Sequence, residues 1–146
     1  NVSLSVQKHI KYEDEKGFHT KTIFNEYAKK IEIGKKKYTT LINKLIDDGN
    51  KLVGYGASAT STTLMYHYDM GGTLDYLVDD FKKKQGLYSP GLNIPVYASD
   101  EIYNNSPDYV VILAWHYADY IINNWRKKGL KSKFILPLPN FSVIED

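Results

Sequence analysis

Two hydrophobic periods divide the chain. From Thr22 onward, Ile23, Tyr27, Ile31, Tyr38, Leu41, Ile42, Leu45 and Ile46 recur at spacings of three and four, which places them on one helical face. Gly49 supplies the stop, and Gly34, costing about 1 kcal/mol relative to alanine inside a helix, marks a candidate kink or break. Lys29, Lys30, Lys35, Lys36 and Lys37 form the solvated face. Ahead of this helix, Leu4, Val6 and Ile10 alternate, and the charged KYEDEKGFH follows, so the first residues read as a strand whose sheet lies elsewhere.

After residue 50 the pattern becomes strand, turn, helix, and repeats. KLVGY (51–55) is a short apolar strand, GASAT opens a helix carrying Leu64, Met65 and Tyr68, and Gly71-Gly72 ends it. A second strand covers Leu74 to Val78 and runs into Asp79 and Asp80; FKKKQGLYSPGLN (81–93) reads as loop, and IPVYA as a third strand. Ser99 is the expected N-cap of a brief helix that Pro107 stops. YVVILAW (109–115) is continuously apolar, as a central strand buried on both faces must be. A helix from Tyr117 to Lys128 capped by Gly129, a strand from Lys133 to Leu136 and the tail PLPN complete the chain. Strands alternating with helices predict a parallel sheet covered on both sides.

Composition narrows the function classes. The chain has 146 residues with no cysteine, and its 19 basic side chains against 17 acidic ones leave a formal charge of only +2. That balance gives no reason to expect a nucleic-acid partner. Tyr109 to Trp115 is the longest apolar run, far short of the roughly 20 residues a spanning helix needs, so no membrane is expected and a cytoplasmic location is. His9, His19, His67 and His116 have no metal-ligand spacing, and neither a GxSxG elbow nor a P-loop lysine is present. The 13 tyrosines suffice for a wet aromatic surface as well as a core.

Three clusters could carry chemistry. GYGAS places Gly54, Gly56, Ala57 and Ser58 between a strand and a helix, where glycines let the backbone approach a phosphate and the helix N-terminus offers free N–H groups; glycines needed only for packing are the alternative. Asp79 ends the next strand at the position of an acid that contacts a ribose hydroxyl. KQGLYSPG contributes Lys84, Gln85, Gly86 and Tyr88, a point charge for phosphate and a ring for stacking, or else an ordinary turn. AWHYAD leaves the central strand at the edge where open α/β sheets bind ligands, so Trp115, His116 and Asp119 are further candidates; core packing for Trp115, a helix N-terminal position without a chemical task for His116 and a first-turn charge for Asp119 are the alternatives.

LVGYGASATS, DYLVDDFKKKQGLYSPGLNIPVY, PDYVVILAWHYADYII and FILPLPN, in this order, resemble the C-terminal domain of S-adenosylmethionine-dependent sugar C-methyltransferases. The resemblance covers roughly residues 20 to 140; Thr60 and Ser61 stand where that family commonly has a lysine and a glycine. It implies a Rossmann-like three-layer α/β domain with a mostly parallel sheet of about five strands, preceded by a long helix. Residues 1–20 would then be the trailing strand and linker of a preceding methyltransferase domain, 21–49 a connecting helix, and 50–146 the C-terminal domain. It further implies a nucleotide-sugar substrate and a missing N-terminal domain of the same chain as partners. S-adenosylmethionine, zinc and the catalytic base would lie in that missing part, leaving no cofactor and no catalysis to this one. The site residues Gly54, Gly56, Ala57, Ser58, Asp79, Lys84, Gln85, Gly86, Tyr88, Trp115 and His116 would help to hold the substrate. Two other readings remain open: a free-standing NAD-type dinucleotide module with Asp79 on the ribose, and an interdomain or dimer scaffold.

Overall fold

The computed structural model describes residues 2–145. The chain divides into a first unit ending at Ile33 and a second beginning at Gly34. In the first unit the expected strand is instead a helix, α1 (Leu4–Lys16). Ser3 caps its N-terminus by accepting from the Val6 amide, Gly17 closes it at φ 67°, and Lys11 faces Glu15 one turn on at 3.8 Å. A strand needs a partner ladder, whereas these caps and the charged KYEDEK segment satisfy a helix locally. The Leu4–Val6 alternation is a two-residue signal, and Val6–Ile10 fits helical spacing as well. No α1 side chain is buried.

The long helix is confirmed as α2 (Lys21–Asp47), unbroken at Gly34. Gly34 has a packing reason: a Cβ there would lie 2.9 Å from the Tyr68 hydroxyl, which donates to the Pro137 carbonyl. Then follow β1 (Leu52–Tyr55), α3 (Ala59–His67), β2 (Leu77–Val78), β3 (Val96–Tyr97), α4 (Glu101–Asn105), β4 (Tyr109–Ile112), α5 (Ala118–Lys127), β5 (Lys133–Leu136) and β6 (Ser142–Ile144). They form one six-stranded sheet in the order β3-β2-β1-β4-β5-β6, parallel except for β6 against β5. The chain thus returns to pair β4 beside β1, and the strand order reverses between them.

Alternation sorts the strand residues between the two layers. Val53, Tyr55, Val110 and Ile112 face Ile121, Ile122 and Trp125 of α5 together with Ile102 of α4. Leu52, Gly54, Val111 and Leu113 stand on the other face, and Tyr38, Ile42 and Leu45 of α2 with Ser61, Leu64 and Met65 of α3 are the buried helical residues outside the α5 cluster. Gly54 lies where a Cβ would come within 2.6 Å of Leu77 and 2.9 Å of Leu113, so its lack of a side chain serves this packing.

The differences from expectation are local. Gly71-Gly72 does not end α3; the helix stops at His67, and Asp69 turns the chain at φ 54°. The second strand is shorter than Leu74–Val78. Ser99 does not cap α4, because its hydroxyl donates to Asp80 at 2.5 Å. β6 was not expected. It is held by its ladder to β5, and Arg126 of α5 donates to the carbonyls of Leu130, Ser132 and Glu145 around that edge. Among the described residues no helix is long and apolar enough to cross a membrane.

Candidate functional site

Where β1 ends, Gly56 adopts φ 104°, a conformation that L side chains rarely take, and a Cβ there would lie 2.7 Å from Cβ of Ala114. The turn therefore runs against the exit of β4, whose Leu113 and Ala114 amides both donate to the Tyr55 carbonyl at 2.9 and 3.0 Å. Ser58 caps α3 by accepting from the Ser61 amide. Ala59 and Thr60 occupy the first turn, where N–H groups have no intrahelical carbonyl to reach.

Asp79 binds this turn to the loop after β2. Its Oδ2 accepts from the Ala57 amide at 2.8 Å and from Lys84 Nζ at 3.0 Å, and its Oδ1 accepts from the Phe81 amide at 2.9 Å. Gln85 donates from its side chain to the Asp79 carbonyl, and Gly86, at φ 81°, donates from its backbone to Val96. The carboxylate expected to hold a ribose is thus largely occupied by the protein's own donors.

Ala57, Ser58, Lys84 and Tyr88 line one cavity of about 320 Å³ at the carboxyl ends of β1 and β2, with Met65 and Leu77 deeper in its wall. Two of the three candidate clusters therefore meet in space, and Asp79 joins them. Trp115 and His116 do not line this cavity. They form a 3₁₀ turn beyond β4, their rings 3.4 Å apart, Trp115 half-buried and His116 exposed. A second, open depression of about 590 Å³ lies at the opposite, amino end of β4 and β5, away from every candidate residue. Ligands of open α/β sheets bind at the carboxyl edge, so the smaller cavity has the better claim.

Sequence reasoning missed two parts of this region. Ala59, Thr62, Leu87, Ser89, Pro90 and Val96 complete the cavity wall, the last four through the loop folding back so that Tyr88 bridges Pro95. The second part is a buttress: the Tyr55 hydroxyl donates to Asp80 Oδ2 at 2.9 Å while Ser99 holds Oδ1. The DD pair after the second strand was its only signal. Burial, with a smaller contribution from the Asp80 carboxylate, pushes the Tyr55 hydroxyl up to about 12, and burial raises Tyr38 further. Both hydroxyls hold their protons more firmly in the folded state. Stability is therefore complete below the ordinary tyrosine value of about 10 and falls as pH rises from there through the folded values. Urea midpoints should drop between pH about 9 and about 11.5, and drop less in Tyr55→Phe; an equal drop in both proteins would remove Tyr55 as a source.

No group of three or more His, Cys, Asp or Glu side chains that could hold a metal stands together among the described residues.

The strand order, which reverses between β1 and β4, defines a Rossmann-like, doubly wound domain. Residues 1–139 match the family described as the C-methyltransferase C-terminal domain, and the chain belongs to that family. It is 30% identical over 146 residues to the C-methyltransferase NovU of Streptomyces niveus, a match that takes in 98% of this chain and 34% of NovU. The chain thus spans about a third of that relative's length. Among solved structures, UDP-D-quinovosamine 4-dehydrogenase from Vibrio fischeri is similar at 20% identity and a TM-score of 0.45, over 62% of this chain and 79% of that one.

Proposed function

We propose that this chain is the nucleotide-sugar recognition domain of an S-adenosylmethionine-dependent sugar C-methyltransferase and is inactive by itself. The observation that carries the reading is the cavity at the carboxyl edge, bounded by the first turn of α3 and the Lys84–Pro90 loop. Membership of a C-methyltransferase family supplies the reaction context. On this reading S-adenosylmethionine, zinc and the catalytic base belong to the remainder of the methyltransferase. The residues of this chain bind and orient the substrate and close one wall of the active site. An NAD-type module is less well supported, because Asp79 already accepts from Ala57, Phe81 and Lys84.

Calorimetric titration of the chain tests the reading. UDP, dTDP or their sugar derivatives should bind with a Kd of about 1 mM or somewhat below, since on this reading the remainder of the methyltransferase completes the crevice. S-adenosylmethionine should not bind measurably. Tighter binding of S-adenosylmethionine or NAD than of any nucleotide-sugar would overturn it. A purely architectural domain would show no nucleotide-dependent protection of the Gly54–Ser58 amides in hydrogen exchange.

A further inference from the structure

We infer that the cavity beside α3 is a slot for the planar base of a nucleoside diphosphate, with Tyr88 as its stacking face, and not a site for the sugar. The inference rests on the nucleotide reading above and assigns one part of the ligand to one part of the crevice.

Size limits the occupant first. At about 320 Å³ the cavity is at the small end of the ~300–1,000 Å³ range of ligand pockets, so it houses one moiety and not a whole nucleotide-sugar. Polarity then decides which moiety. Four hydroxyl side chains belong to the wall; one is that of Tyr88, and the other three are each engaged within the chain: Ser58 accepts from the Ser61 amide, Thr62 donates to the Ser58 carbonyl, and Ser89 accepts from the Ile94 amide. Lys84 is paired with Asp79. Apart from the Tyr88 ring the rest of the wall is apolar, including Ala59, Met65, Leu77, Leu87 and Val96. A sugar ring placed there would give up hydrogen bonds to water and recover few from the protein, which is costly. A heteroaromatic ring loses much less, because its faces are apolar and its polar edge can stay at the mouth.

Tyr88 supplies the remaining element. It lines the cavity yet is 65% exposed, so its ring is free of core packing and available to a second ring. Its backbone is fixed by the bridge to Pro95. Stacking tolerates different bases, so the slot selects for a base over a sugar more strongly than for one base over another.

Saturation-transfer NMR on the 146-residue chain tests this with four probes: uridine, UDP, pyrophosphate and glucose 1-phosphate. With uridine and UDP, transfer should be strongest at the base protons, with contacts to the methyl groups of Met65 and Leu87. Tyr88→Ala should weaken UDP about tenfold, whereas Tyr88→Phe should leave it unchanged. Tyr88 is exposed, so neither substitution empties a core position, and the circular dichroism of both variants checks the fold. If UDP binds with its base protons unsaturated, or pyrophosphate and glucose 1-phosphate bind as well as UDP does, the slot is overturned while nucleotide recognition stands. If none of the four binds, both fall.

Discussion

Gly56→Ala should cost about 2–5 kcal/mol of stability. A left-handed backbone at a residue bearing Cβ contributes about 1–2 kcal/mol, and overpacking against Ala114 about 1–3. The added methyl would lie 2.7 Å from Ala114 Cβ and 3.0 Å from the Ala114 amide nitrogen, so side chain and backbone both resist. Tm should fall by roughly 5–15 °C for a domain of this size. Relief of the clash would push the β1–α3 turn away from the β4 exit and open the crevice, so nucleotide binding should weaken even below the melting range. Gly86→Ala is the matching control. Its φ of 81° is also left-handed, but nothing lies within 4 Å of the added methyl, so only the backbone cost applies. Equal losses in the two variants would show that the approach to Ala114 contributes nothing.

Asp79→Ala should cost about 2–4 kcal/mol. The carboxylate accepts two backbone amides and one ammonium group, and hydrogen bonds to a charged acceptor are worth about 1.5–3 kcal/mol each. Lys84 is partly exposed and regains water, and the exposed Phe81 amide and half-buried Ala57 amide recover part of theirs, which holds the expected loss below the full value of the bonds. Hydrogen exchange at those two amides should accelerate more than in the strands. Asp79→Asn keeps one acceptor oxygen and should lose less. Nucleotide affinity should fall in Asp79→Ala because both walls of the cavity are set by this side chain. A variant that loses ligand affinity with unchanged stability and exchange would place Asp79 on the ligand itself, as in the dinucleotide reading.

The parts of the fold legible in the sequence are those fixed by local pattern. The helical face of α2, the apolar run of β4 and the glycine turn after β1 each carry their signal within a few residues. The α1 region was misread because a brief alternation was weighed above the Ser3 and Gly17 caps. β6 and the fold-back of the loop to Pro95 were not legible, because each depends on a partner strand or residue and not on its own composition. The site was legible as residue types: Ala57, Ser58, Lys84 and Tyr88 were singled out, and they do meet. Trp115 and His116 share the sheet edge with them but not the cavity.

By itself the sequence determined the α/β class, the strand-turn-helix unit at Gly54–Ser58 and the family resemblance, because periodicity and short motifs are local properties of the chain. Only the tertiary structure decided how the polar groups of that unit are spent. Asp79 looks like a ribose ligand along the chain, yet folding brings Ala57, Phe81 and Lys84 to its carboxylate. A buried or half-buried charge must find donors, and which donors reach it first is set by long-range packing that no local pattern encodes.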